Sequence, residues 1–217
     1  MKNKILWLTA ILSVLICQNL FAAIAINEFL ADPPNGLAGD TNLDGIRSSS
    51  DDEFVELYNL SDLAQNLSGW SLWDGTSLRH LFAPNTIVNG KDYLVVFGGG
   101  NLSNFTNPAV KASTGTLSLN NTSDQIFLKN TFEEVIDHVL FGAEGDKDQS
   151  LTRFPEGTGV LKLHSQASSS GLLFSPGKDV NGNKFVNKVQ DQPAVPEPFS
   201  LLLVSLGILM PKFRRLL

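Results

Sequence analysis

The chain has 217 residues, of which 42% are hydrophobic, 18% charged and one a cysteine. That composition excludes a largely disordered chain, a disulfide framework and a multi-Cys zinc site. The net charge of −6 is uneven: Lys2 and Lys4 mark one end, Lys212, Arg214 and Arg215 outweigh Glu197 at the other, and residues 24–192 carry 11 basic against 21 acidic residues, net −10. So acidic a body is unsuited to gripping a phosphate backbone, and no nucleic-acid partner is expected.

Residues 1–23 read as a signal peptide with a signal helix. Lys2 and Lys4 form a basic start, Ile5–Ile16 is apolar, and small residues follow at Ala22, Ala23 and Ala25. The apolar run is too short for a membrane span and suits a secretory signal. Ala23-Ile24-Ala25 fits the A-x-A rule, and cleavage after Ala23 is an alternative that the sequence leaves open. Cys17 follows Ile16 rather than a small residue, which argues against lipidation. Removal of the segment would leave a body without cysteine, indifferent to the redox state of its surroundings.

Ile24–Leu30 is the first expected strand. A long loop follows, and Asp40-Thr41-Asn42-Leu43-Asp44-Gly45-Ile46 through Asp51 fits the pattern D-x-N-x-D-G-x5-D. Asp40, Asn42 and Asp44 supply side-chain oxygens at positions 1, 3 and 5. Gly45 permits the turn, the Ile46 carbonyl takes position 7, Ser48 stands at position 9 and Asp51 at position 12. This is the ligand spacing of a twelve-residue calcium loop. No flanking helices are expected, so the loop is read as an insertion between strands that binds structural Ca2+. Five carboxylates within Asp40–Glu53 face only Arg47, and a divalent cation would relieve their repulsion.

Further strands are expected at Glu53–Asn59, Gly69–Trp73, Leu78–Phe82, Tyr93–Phe97, Thr116–Leu119, Gln125–Lys129, Val135–Phe141 and Ser150–Phe154. They are rich in β-branched and aromatic residues and separated by Asn-, Gly-, Pro- and Ser-rich turns. No sustained helical period interrupts them, so the body reads as an all-β antiparallel sandwich. Several segments resemble the lamin tail domain: Ile26-Asn27-Glu28-Phe29, Glu53-Phe54-Val55-Glu56-Leu57-Tyr58-Asn59, Leu67-Ser68-Gly69-Trp70-Ser71-Leu72, Asn89-Gly90 through Phe97, Ser150-Leu151-Thr152-Arg153 and Ser175-Pro176-Gly177. Together they span residues 24–178. The resemblance implies an immunoglobulin-like β-sandwich without catalytic function. The chromatin binding of nuclear lamins is not carried over, given the acidic charge.

Period-2 counting puts Trp70 and Leu72 on one strand face and Ser71 and Trp73 on the other. Trp70 is then the core tryptophan, and Trp73, if exposed, is placed to stack on a sugar. The same counting aligns Glu28 with Ile24, Ile26 and Leu30. A buried carboxylate needs a partner, for which Arg153 is suited, unless a bulge turns Glu28 outward. His80, His138 and His164 are scattered and read as surface or partly buried residues. Asp137 and His138 point to opposite faces and form no dyad. Gly98-Gly99-Gly100 reads as a loop, without the helix or lysine of a phosphate cradle.

Residues 179–194 are polar and turn-prone and read as a flexible linker. Residues 195–217 comprise Val195-Pro196-Glu197-Pro198, the apolar run Phe199–Met210 and the basic cluster ending in Arg214-Arg215. This arrangement resembles the PEP-CTERM sorting signal of Gram-negative bacteria. The resemblance implies a short transmembrane helix that holds the chain in the membrane before processing, recognition of Val195, Pro196, Glu197 and Pro198 by exosortase, and delivery to the cell envelope, the cell surface or the medium. Basic residues at both ends favour the cytoplasmic side, which places the body outside.

The sequence contains no G-x-S-x-G, H-E-x-x-H, P-loop or G-x-G-x-x-G. The expectation is an exported, non-enzymatic surface protein for adhesion or matrix association, with extracellular polysaccharide or other surface proteins as partners. A carbohydrate-binding module is the alternative, and a secreted hydrolase built on a carboxylate pair the second.

Overall fold

The computed structural model describes residues 24–185, and the signal segment and the sorting segment lie outside them. Twelve strands are present: β1 (Ile24–Leu30), β2 (Phe54–Asn59), β3 (Gln65–Asn66), β4 (Ser71–Trp73), β5 (Leu78–Leu81), β6 (Ile87–Val88), β7 (Tyr93–Phe97), β8 (Ala109–Lys111), β9 (Asp124–Lys129), β10 (Val135–Phe141), β11 (Leu151–Phe154) and β12 (Val160–Leu163). A single helical turn, α1 (His164–Ala167), follows. Strands β12-β11-β1-β2-β7-β8 form a six-stranded sheet and β10-β9-β4-β5 a four-stranded one, with β3 and β6 as a separate pair. Among the described residues no helix is long and apolar enough to cross a membrane.

The main core lies between the two large sheets. Ile24, Ile26 and Phe29 of β1, Val55 and Leu57 of β2, and Leu94 and Val96 of β7 meet Leu72, Ile126, Leu128, Val139 and Phe141 of the smaller sheet. Phe29 and Phe141 touch across the gap, with ring centroids 4.7 Å apart. The six-stranded sheet is buried on its other face too. Leu30, Phe54, Tyr93, Val95 and Phe97 point there and are covered by Leu102, Phe105, Phe174 and Phe185. Burial on both faces explains why β7 reads as an unbroken apolar run rather than an alternating one.

Several expectations need correction. Thr116–Leu119 forms no strand, and Ser118 has φ +49°. The two-residue strands β3 and β6, the parallel partner β8 and the edge strand β12 were not expected. β3, β6 and β8, of two or three residues, lack the length to show a period. β8 pairs with β7 in parallel, so the sandwich is not wholly antiparallel. Trp70 precedes β4 and is only half-buried at the margin of the core. His80 and His164 are buried, not superficial. Residues 179–185, the start of the expected linker, pack on the body: Val180 is buried, and the Phe185 ring meets Tyr58 and Tyr93.

Candidate functional site

Burial in the six-stranded sheet creates the first group of ionisable side chains. The β1–β2 register shifts between Ile26 and Glu28, which makes Asn27 the extra residue of a bulge. Past it the alternation resets. Phe29 enters the core, and Glu28 and Leu30 turn to the opposite face, which is itself covered. Glu28 and Glu56 then stand opposite one another, both buried. Arg153 is not the partner of Glu28; it binds the Ile26 carbonyl at 2.8 Å and Asp137 at 3.2 Å.

The carboxylates bind the chain segment that lies over them. Glu28 accepts from Ser150 Oγ (2.7 Å), Ser175 N (2.8 Å) and Ser175 Oγ (2.8 Å). Glu56 accepts from Gly177 N (2.7 Å) and Asn27 Nδ2 (2.9 Å). Glu156 takes a second bond from Asn27 Nδ2 (2.6 Å) and one from Val180 N (2.8 Å), while Asn27 Oδ1 accepts from Gly157 N. His164 Nε2 lies 3.0 Å from Ser175 Oγ. Residues 150–180 are thus clamped onto β1 and β2. Burial pushes the Glu28 and Glu56 carboxyls up, Glu56 more so because the Glu28 charge stands beside it. Burial raises Glu156 as well. This is the chemistry of a structural clamp, since each carboxylate is consumed by donors of the fold.

The acidic loop is the second group. Asp40 accepts from Asp44 N (3.1 Å) and Gly45 N (2.8 Å), Asn42 Oδ1 from Asp44 N (3.0 Å), and Asp44 Oδ1 from Ile46 N (2.8 Å). The first half of the motif is therefore wound tightly around its own backbone. The loop rests on Gly98-Gly99-Gly100. A Cβ on Gly98 would lie 1.8 Å from Ser50 O, and one on Gly100 would lie 2.2 Å from Asn42 Nδ2 and 2.8 Å from Asp44 Oδ2. Asp51 Oδ1 stands over Gly99, and Asn101 N donates to Asp44 Oδ2 at 3.0 Å. The three glycines are a seat for the acidic loop, a role their own sequence did not disclose. The Ile46 side chain is 70% exposed.

Asp52, which the spacing left out, is the buried anchor. It accepts from Thr41 N (2.8 Å), Asn42 N (3.2 Å) and Ser48 N (2.7 Å), and burial raises its carboxyl. Three acids in a row, Asp51-Asp52-Glu53, hide which one turns inward. Asn42 Nδ2 is buried without a hydrogen-bond partner beside Asp44 Oδ2. Asn42 Oδ1, already bonded by Asp44 N, keeps a second lone pair that a cation could use. Among the described residues no three His, Cys, Asp or Glu side chains are gathered as a ready ligand set. A cation at this loop would have to draw on the Asn42 oxygen and the Ile46 carbonyl besides Asp40, Asp44 and Asp51.

The third feature is a groove of about 360 Å³ on the four-stranded sheet, bounded by Trp73, Asp74, Thr76, Phe127, Lys129 and Val135. Trp73, Phe127 and His138 occupy opposed positions on β4, β9 and β10. His138 stacks on Phe127 at 4.3 Å, and Asp137 points away to Ile26 N and Arg153, so the two neighbours do face opposite ways. Trp73 Nε1 donates to Ser71 Oγ (2.9 Å), which orients the indole, and Lys129 Nζ lies 4.2 Å from its ring centroid. Asp74 is consumed locally by Arg79, Thr76 N and Ser77 N. The sorting motif, Val195, Pro196, Glu197 and Pro198, lies outside the described residues. A family model described as Lamin Tail Domain matches residues 20–143. No curated protein matches the chain.

Proposed function

The chain belongs to the lamin tail domain family, and on that premise we propose that it is an exported, non-enzymatic cell-surface protein whose β body serves adhesion or matrix association. The observation that carries this reading is the fate of the buried carboxylates. Glu28, Glu56 and Glu156 are spent on Ser150, Ser175, Gly177, Val180 and Asn27, holding a strap to the sheet, and none of them borders the aromatic groove. A hydrolytic carboxylate pair must face substrate and bulk water. The extreme segments support export: the basic-apolar start, and the Val195-Pro196-Glu197-Pro198 motif followed by an apolar run and a basic end, which suit a secretory signal and an exosortase substrate held in the membrane until it is cut.

In this reading Asp40, Asn42, Asp44, the Ile46 carbonyl and Asp51 hold a structural calcium ion. The ion would supply charge neutralisation for a loop crowded with acids. The protein's own part is the seat on Gly98–Gly100 and the anchor at Asp52, which fix the loop between β1 and β2. Extracellular calcium is abundant, so affinity on the order of 10⁻⁴–10⁻³ M suffices. At calcium about ten times the Kd the gain is about 1.4 kcal/mol, or roughly 3–6 °C in Tm. Thermal melts of the purified chain with millimolar calcium, and then with excess EDTA, check this. The expected outcome is a reversible rise in Tm that Asp44→Ala abolishes. Melts identical under both conditions end the calcium assignment.

A further inference from the structure

We propose that the groove between β4 and β9 is a binding site for a carboxylated polysaccharide, with one sugar ring stacked on Trp73 and Phe127 and its carboxylate on Lys129. The inference deepens the matrix-association reading by naming the ligand class and the site.

The geometry supplies each element such a ligand requires. The axial C–H face of a pyranose is apolar and prefers the electron-rich face of an aromatic ring. Trp73 and Phe127 offer two half-buried aromatic walls on adjacent strands; Lys129 covers one face of the indole and His138 one face of Phe127, so a sugar would stack on the other. Their conformations are set before any ligand arrives: the indole N–H is tied to Ser71 Oγ, and His138, itself bonded to Gln125, stacks on Phe127. Aromatic walls held in place bind at less entropic cost than mobile ones. The groove, at about 360 Å³, lies within the size range of small-ligand sites.

Charge decides the class of sugar. Arg79, Arg153 and Lys91 each pair with a carboxylate, whereas Lys129 is in none of the ion pairs of the described residues. Its ammonium instead lies over the Trp73 ring. The acid at the rim, Asp74, is neutralised by Arg79 and by the N–H groups of Thr76 and Ser77. The groove therefore presents one cation without a counter-ion on a body of net charge −10. A neutral glycan would leave that cation unused, and a polyanion without sugar rings would leave the aromatic walls unused.

Affinity electrophoresis of the full chain in mild detergent tests this. The gels contain polygalacturonate, a neutral glucan or dextran sulfate. Retardation by polygalacturonate is expected, with little by the glucan. Lys129→Gln should weaken it at least ten-fold, and Trp73→Ala should abolish it. Val160→Thr, on the far edge of the other sheet, should match wild type. Lys129→Gln leaves the core untouched, so it answers even if Trp73→Ala fails to fold, which a thermal melt reports. The proposal is overturned by no retardation in polygalacturonate. It is equally overturned if dextran sulfate retards wild type and Lys129→Gln alike, or if the glucan does so. The purified chain needs no export here, so failure of the site is distinct from failure of surface delivery, which fractionation of the host cells reads.

Discussion

At the scale of single residues, the chain's ionisable groups oppose one another across pH. Glu53 is 5% exposed, accepts from Leu119 N at 3.3 Å, and is pushed by burial to about 8. Its folded form holds a proton that the unfolded chain releases near the ordinary glutamate value. The stability it contributes is therefore complete below about pH 4.5 and is lost as pH rises toward 8. Glu28 and Glu56, also raised by burial, act in the same direction. His80 is pushed by burial to about 4, and His164 is lowered too. Their contribution is complete above the ordinary histidine range and is lost as pH falls through it. Stability should thus peak in mildly acid solution. Glu53→Gln should remove part of the alkaline decline, worth a few kcal/mol between pH 5 and 8. Urea unfolding of both proteins at those two pH values measures it; parallel curves would count against a buried, protonated Glu53.

At the scale of elements, one inserted residue organises the clamp. Without the bulge at Asn27, Glu28 would share the core face with Ile24 and Ile26. With it, Glu28 meets the strap of residues 173–180 on the opposite face. Asn27 then bridges Glu56 and Glu156 and receives Gly157 N. Asn27→Ala leaves the buried Glu56 and the half-buried Glu156 each short of a donor and one N–H without an acceptor. A loss of about 2–4 kcal/mol is expected, read as a fall in the urea midpoint. Ser175→Ala, which unties Glu28 Oε2 and His164 Nε2 but spares the backbone bond from Ser175 N, should cost less, about 1–2 kcal/mol. If Ser175→Ala proves the more damaging of the two, the clamp is centred on the strap rather than on the bulge.

At the scale of the whole molecule, the prediction concerns both ends together. Intact-mass spectrometry of the protein from its host should show loss of residues 1–23 or 1–25 and processing near Pro196-Glu197-Pro198. Uncut chain in the cytosolic fraction would overturn the export reading. Much of the architecture was legible beforehand. Ile24–Leu30, Tyr93–Phe97 and Val135–Phe141 were placed to the residue, because β-branched, aromatic and other apolar residues gathered between turns announce a strand through local chemistry. The spacing from Asp40 to Asp51 was legible for the same reason, since a tight loop is written in consecutive residues. What the local pattern did not carry was every relation between distant segments. The bulge at Asn27, the strap that takes up Glu28 and Glu56, the inward turn of Asp52 and the glycine seat at residues 98–100 all depend on what lies opposite in space. A carboxylate has the same sequence signature whether its donors come from solvent or from a segment 147 residues away. Only the folded chain decides which donors it meets, because burial removes water as the alternative partner.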